Sequence, residues 1–296
     1  MMSEKNSNNI KTPAKAGILG WPVTHSRSPL IHDYWLKTHG IDGSYEKLPA
    51  TSEDFERVVM GLVAAGYAGA NVTAPHKEAA FELADVADTN AARLRAANLL
   101  VFKGGDIHAA NTDGYGFLQS LRGGADEPEI DKSWSTNPVA LLGAGGASRA
   151  IIGALVDAGV PELLISNRTM EKIDTLRFLC EGTPTNISAV PWDDGATMLE
   201  GCGLLVNTTS LGMSGQPALD MSLENLPDFA AVFDIVYAPL ETPLLKAAKL
   251  RGLRTIDGLS MLLYQAVPSF SAWFGVAPAV TPELRRLVVT NLEEKS

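Results

Sequence analysis

Val139-Ala140-Leu141-Leu142-Gly143-Ala144-Gly145-Gly146-Ala147-Ser148-Arg149-Ala150 is the stretch on which the fold reading turns. Four apolar residues read as a buried strand, the glycines as a tight turn, and residues 148–158 as the helix that follows. Such a turn lets the backbone approach a pyrophosphate at the helix N-terminus, where unpaired amides and the helix dipole favour negative charge. The spacing departs from G-x-G-x-x-G, because Ala147 and Ala150 follow where a third glycine is usual. A tight turn in any α/β protein reads similarly, so the loop gains its weight from its neighbours. Gly143, Ala144, Gly145, Gly146 and Ala147 are its candidate cofactor contacts.

Downstream, residues 163–166 form the next apolar strand, followed by Asn167-Arg168-Thr169 and, one turn later, Lys172. An NAD site usually presents Asp or Glu about 20 residues beyond the loop to bond the ribose hydroxyls. Here a guanidinium, an ammonium and a hydroxyl would suit a 2′-phosphate, and no carboxylate repels it. The reading favours NADP, with NAD as the alternative; a plain solvated strand end would look the same. Residues 203–206 and 231–235 continue the series of strands.

Upstream, residues 16–20 read as a first strand, and Ser28-Pro29 opens a helix to about residue 37 with Ser28 as its cap. Residues 44–48 alternate like a strand, 52–66 read as a helix, 69–72 as a strand and 77–87 as a helix. Two strands at 99–103 and 107–110 join through the turn at 103–106. This alternation implies a mainly parallel α/β sheet. Residues 122–137 read as a loop or short insertion. Helices at about 260–273 and 282–293, with no strand after them, are expected to fold back onto the first region. The expected class is α/β with two domains: a substrate-binding and catalytic domain from residues 16–112 plus 258–296, and a doubly wound, Rossmann-like dinucleotide-binding domain from 113–257. Residues 1–15, polar and Asn/Ser-rich, read as a disordered tail.

The chain has 296 residues, 46% hydrophobic and 20% charged, an ordinary balance for a soluble globular protein. A net charge of −10 argues against a nucleic-acid surface, whose phosphates need clustered Lys and Arg. No run approaches the roughly 20 apolar residues that cross a bilayer. Cys180 and Cys202 read as free thiols in a reducing compartment. A cytoplasmic protein with a small-molecule substrate, monomeric or homodimeric and without metal, is the expectation.

Two polar motifs precede the loop: Asn71-Val72-Thr73-Ala74-Pro75-His76-Lys77 and Asn111-Thr112-Asp113-Gly114. A lysine and a carboxylate can share the proton of a reacting hydroxyl while the loop holds a hydride acceptor. Ser26 and Ser28, at a helix start, could bind a small carboxylate; capping alone would also explain Ser28. Singly, Lys77 reads as a surface lysine and Asp113 as a helix cap.

Taken together with His25-Ser-Arg-Ser-Pro29, Asn167-Arg-Thr169, residues 206–213, 234–239 and 258–265, the series resembles the shikimate dehydrogenase family from about Gly17 to Pro268. The resemblance implies an NADP-dependent interconversion of shikimate and 3-dehydroshikimate, with Lys77 and Asp113 as the catalytic pair. It implies that Ser26, Ser28 and Tyr237 bind the substrate carboxylate, and that Asn71, Thr73, Asn98 and Gln265 surround the ring hydroxyls. Thr208, Thr209, Met213 and Gly258 would lie along the cofactor. Two positions depart from the family pattern: Arg95 stands for a glycine and Leu99 for a threonine. They keep open a quinate/shikimate or aminoshikimate dehydrogenase, with NAD as the alternative cofactor; a non-catalytic sensor on the inherited fold is the reading from another class. His76, beside Lys77, is a candidate proton relay only by proximity.

Overall fold

A computed structural model describes residues 14–123, 130, 132–195 and 197–294. The first sheet comprises β1 (Ala14–Gly20), β2 (Gly43–Pro49), β3 (Gly69–Val72), β4 (Val86–Ala87), β5 (Leu99–Lys103) and β6 (Asp106–Ala110), in the order β2-β1-β3-β5-β6-β4. Between its strands run α1 (Ser28–Thr38), α2 (Phe55–Ala64), α3 (Lys77–Glu82) and α4 (Thr89–Leu94). The expected parallel character holds for β1 with β2 and β3, and for β4 with β6. Strand β5 is antiparallel to both neighbours; toward β6 this follows from the four-residue hairpin turn that joins them.

The chain then passes through α5 (Asp113–Leu121) and the short α6 (Ser133–Thr136) into a second sheet. That sheet comprises β7 (Val139–Leu142), β8 (Glu162–Ser166), β9 (Asn186–Val190), β10 (Leu204–Asn207), β11 (Ala231–Asp234) and β12 (Arg254–Ile256). Every pairing is parallel, in the order β12-β11-β10-β7-β8-β9. Read from β9, this is the doubly wound dinucleotide-binding order, whose crevice opens between β7 and β10 where the winding reverses. Helices α7 (Gly146–Asp157), α8 (Glu171–Asp174) and α9 (Pro243–Leu250) belong to this series. Strands buried on both faces explain the unbroken apolar runs Val139–Leu142 and Ala231–Phe233, all fully buried or nearly so.

The last helices, α10 (Gly258–Phe274) and α11 (Pro282–Glu293), bury Leu263, Ala266, Phe270, Leu284 and Val288 against Ile31 and Trp35 of α1, as the return to the first region required. Helix α10 also packs on α5; a Cβ on Gly116 would meet the Met261 carbonyl at 2.8 Å. On the other flank, α7 is tied to α3 and α4 by Arg149–Glu78 at 3.0 Å and Arg93–Asp157 at 2.6 Å.

Several boundaries differ from expectation. Strand β1 begins at Ala14, two residues inside the stretch read as tail; residues 1–13 lie outside the described residues. Ser28 is the first helical residue rather than the cap; Arg27 holds the cap position with no side-chain cap bond. Helix α2 is shorter than expected at both ends. The helix from Lys77 stops at Glu82, because Val86 and Ala87 pair with β6 instead. Helix α4 was not foreseen; the Asp88 carboxylate caps it by accepting from the Ala91 amide at 2.6 Å. Strands β9 and β12, also unforeseen, occupy the two sheet edges. The 122–137 segment contains α6; residues 124–129 and 131 lie outside the described residues. Both cysteines are unpaired.

Candidate active site

Where the two sheets meet, a cavity of about 380 Å³ is lined by every catalytic and substrate-side candidate, together with Gly258. Lys77 enters from the first residue of α3, after the turn that ends β3, and Asp113 from the first residue of α5. The Lys77 Nζ lies 2.5 Å from Asp113 Oδ2, with both side chains mostly buried. The other carboxylate oxygen of Asp113 accepts from Asn98 Nδ2 at 2.9 Å, and its backbone amide donates to Asn111 Oδ1 at 3.1 Å. Asn111 is itself fixed through Nδ2 to the Ala96 carbonyl.

Asn98 is the hub of this wall. Its Oδ1 accepts from the Thr112 amide at 2.8 Å, and its Nδ2 reaches Gln265 Oε1 at 3.3 Å. Thr112 Oγ1 donates to the Gln265 carbonyl at 2.8 Å, joining α10 to the start of α5. Asn71, at 4% exposure, donates from Nδ2 to the Asn98 carbonyl and to Ser269 Oγ, and its Oδ1 accepts from the Tyr45 hydroxyl. Tyr45 and Ser269 were not singled out from sequence, and Thr112 only as part of its motif. Ser269 carried a signal, a polar residue inside an otherwise apolar helix, whereas Tyr45 lies in a polar strand.

Ser26, Ser28 and Tyr237 line the same cavity. Ser26 Oγ accepts from the Ser28 amide at 3.2 Å, which bends the loop into α1. Burial raises the pKa of the Tyr237 phenol, partly offset by the nearby Arg27 guanidinium, so the phenol is a hydrogen-bond donor at neutral pH. Behind it, Asp234 is fully buried and its pKa is raised by that burial. It accepts from Thr242 Oγ1 at 2.7 Å, Asn207 Nδ2 at 2.9 Å and the Val236 amide at 3.0 Å. Those bonds join the ends of β10 and β11 on which Tyr237 is mounted.

The cofactor-side candidates fall into two groups. Gly143 adopts φ +103°, and an added Cβ would lie 2.8 Å from Thr208 Oγ1. Thr208 itself donates to the Leu142 carbonyl at 2.7 Å and lies 2.6 Å from Ser148 Oγ. Asn167 accepts from the Ala144 amide at 3.2 Å and donates to the Thr169 carbonyl. Thr209 is held by Asn207 Oδ1. These side chains shape the loop. The second group is open: a Cβ on Gly145 or Gly146 would meet nothing within 4 Å, and Arg168, Thr169 and Lys172 are exposed. Met213 is 39% exposed.

The residues that depart from the family pattern lie elsewhere. Arg95, in the left-handed conformation at the end of α4 with φ 49°, places its guanidinium 5.5 Å from the Phe178 ring centre. Leu99 is buried beside Tyr45 and Trp273. Neither lines the cavity. His76 is committed to the Ala50 carbonyl at 2.7 Å and stacks on Phe55, away from the cavity, which removes its candidacy as a relay. Among the described residues, no cluster of three His, Cys, Asp or Glu side chains could hold a metal.

A doubly wound sheet with an open glycine turn, together with a lysine–carboxylate pair on the wall of a cavity, fits the class of nucleotide-dependent oxidoreductases. Residues 18–100 match the family model described as the shikimate dehydrogenase substrate binding domain, and residues 127–213 that of shikimate / quinate 5-dehydrogenase. A shikimate dehydrogenase (NADP(+)) of Paramagnetospirillum magneticum is 49% identical over 278 residues, covering 93% of this chain and 98% of that protein. The crystal structure of shikimate 5-dehydrogenase from Thermus thermophilus in complex with NADP(H) and shikimate aligns with TM-score 0.81 at 32% identity, over 94% of this chain and 99% of that one. A quinate dehydrogenase from Corynebacterium glutamicum in complex with NAD aligns with TM-score 0.84 at 28% identity, over 94% and 99%. The chain belongs to the shikimate dehydrogenase family.

Proposed function

We propose that this chain catalyses the reversible, NADP-dependent interconversion of shikimate and 3-dehydroshikimate. The observation that carries the reading is the 2.5 Å contact between Lys77 and Asp113 on the wall of the inter-sheet cavity. The residues present fit the cofactor. Gly145 and Gly146 leave open space beside the α7 N-terminus for a pyrophosphate, and Arg168 and Lys172 stand where a 2′-phosphate would need cations. When bound, NADP supplies the hydride acceptor.

In the oxidative direction, the proton of the substrate's C3 hydroxyl passes to Lys77 as Lys77 gives one to the Asp113 carboxylate, while hydride leaves C3. The positive charge on Lys77 stabilises the alkoxide character of that oxygen during the transfer. In the reductive direction, the Lys77 ammonium polarises the C3 ketone and returns the proton. Asn98 holds Asp113 Oδ1, so the carboxylate keeps Oδ2 turned toward the lysine. Ser26, Ser28 and the Tyr237 hydroxyl take the substrate carboxylate at the other end, while Thr73, Asn71 and Gln265 orient the ring hydroxyls. Fixing both ends presents C3 to the catalytic pair in one orientation.

Domain boundaries near residues 112 and 257 are part of the proposal, supported by the passage from one sheet to the other through α5 and back through α10. So are a cytoplasmic location, supported by the unpaired cysteines, and a monomeric or homodimeric state. Because Arg95 and Leu99 stand outside the cavity, they give no support to a changed substrate preference. A matrix of steady-state rates with shikimate and quinate, each with NADP and NAD, tests the reading. Shikimate with NADP is expected to be fastest. A strong rate on quinate with a poor one on shikimate would overturn the substrate, and binding without any turnover would favour a sensor.

A further inference from the structure

We infer that Tyr45, which does not line the cavity, is a positioning residue that occupies one lone pair of Asn71 and so fixes the single acceptor this asparagine offers to a hydroxyl on the bound substrate. The inference rests on the reading of this cavity as the shikimate site. An asparagine amide has two N–H donors and one oxygen with two lone pairs. Both donors of Asn71 are committed, to the Asn98 carbonyl at 3.1 Å and to Ser269 Oγ at 2.8 Å. One lone pair of Oδ1 takes the Tyr45 hydroxyl at 2.8 Å. What Asn71 presents to the cavity it lines is the remaining lone pair. The reverse amide orientation would set Oδ1 against the Asn98 carbonyl, two acceptors face to face, so the network admits one arrangement.

The Asn98 carbonyl fixes the amide, and Tyr45 then takes one of the two lone pairs of Oδ1. Opposite an oxygen that can only accept, the phenol must donate. Its ring lies 3.9 Å from that of His32 with an interplanar angle of 1°, and Tyr45 is 5% exposed, so the hydroxyl is held in place from behind. Burial also pushes the phenol well above its ordinary pKa, which keeps the proton on it. A substrate with a carbonyl or ether oxygen facing Asn71 would meet a like acceptor and be rejected.

Tyr45→Phe removes only the hydroxyl and keeps the stack on His32. The variant would be assayed with NADP and shikimate, and with the 4-deoxy and 5-deoxy analogues of shikimate. The wild type is expected to discriminate against one deoxy analogue by roughly tenfold or more in kcat/KM. In Tyr45→Phe that discrimination should fall to within about threefold, the KM for shikimate should rise several-fold, and kcat and the KM for NADP should change little. Ser269→Ala, which loosens the same amide from the opposite side, should lower the same discrimination. A Tyr45→Phe enzyme with unchanged KM and unchanged discrimination would overturn the inference. So would equal losses on all three substrates with a lowered Tm, the signature of a merely structural role. Failure of the wild type itself to oxidise shikimate would instead overturn the functional reading beneath it.

Discussion

On the substrate side of the crevice, Asn71, Asn98, Thr112 and Asp113 commit most of their polar atoms to one another across β3, β5, α5 and α10. On the cofactor side, Gly145, Gly146, Arg168 and Lys172 face solvent. The first wall is preorganised: each buried donor is satisfied before a ligand arrives, and a ligand inherits fixed orientations. The second is an open rim of amides and cations that a phosphate would complete. Substitutions on the two sides should therefore fail differently.

The largest effect among the tests of this contrast is expected at Arg168. Replacing it with alanine should lower kcat/KM for NADP by about 10- to 100-fold and leave NAD nearly unchanged, since a charged hydrogen bond is worth about 1.5–3 kcal/mol. Equal losses with both nucleotides would place Arg168 away from the 2′-phosphate.

Next comes the buried side, read through His32. Both its ring nitrogens are buried without a partner among the described residues, and burial lowers its pKa from 6.5 to about 3. The folded protein keeps this imidazole neutral, while the unfolded chain protonates it below about pH 6.5. Its contribution is therefore present above pH 6.5 and lost as pH falls toward 3, amounting to roughly 2 kcal/mol between pH 6.5 and 5. Urea unfolding at pH 7.5 and pH 5 should show that loss, and His32→Phe should flatten it. An identical pH dependence in the variant would contradict the assignment.

A pair of glycines then separates the two walls directly. Gly145→Ala meets open space, so Tm should hold while the KM for NADP rises about tenfold, through lost close approach of the backbone. Gly116→Ala would drive a Cβ to 2.8 Å from the Met261 carbonyl and should lower Tm by several degrees. The reverse pattern would mean that the loop is packed and the α5–α10 seam slack.

The smallest effect belongs to Arg95. At φ 49° it occupies backbone that favours glycine, with a compensating contact on Phe178. Arg95→Gly should change stability by less than about 1 kcal/mol in either direction and leave kcat/KM untouched. A changed substrate preference would bring the position back into the site.

Much of this architecture was legible in the sequence because chemistry restricts it locally. A strand, a glycine turn and a helix N-terminus are contiguous in Val139 to Ala150, and β3 was read at its observed limits because its four residues are all buried. The polar motifs ending in Lys77 and Asp113 stood out for the same reason. What escaped depends on distant contacts. Tyr45 meets Asn71 across 26 residues, and Ser269 meets it across 198. The overlong helix from Lys77 follows from Ala- and Glu-rich composition, which tertiary pairing of Val86 and Ala87 overrides. Ser28 looked like a cap because the helix start is visible in sequence, but the direction of its hydroxyl is not.

Lys77→Ala, measured with shikimate and NADP at saturating cofactor, tests the central claim most directly. Loss of the proton relay and of the positive charge beside C3 should lower kcat by a factor of about 10² to 10⁴ while KM moves only a few-fold. A variant that turns over at near wild-type rate would contradict the account.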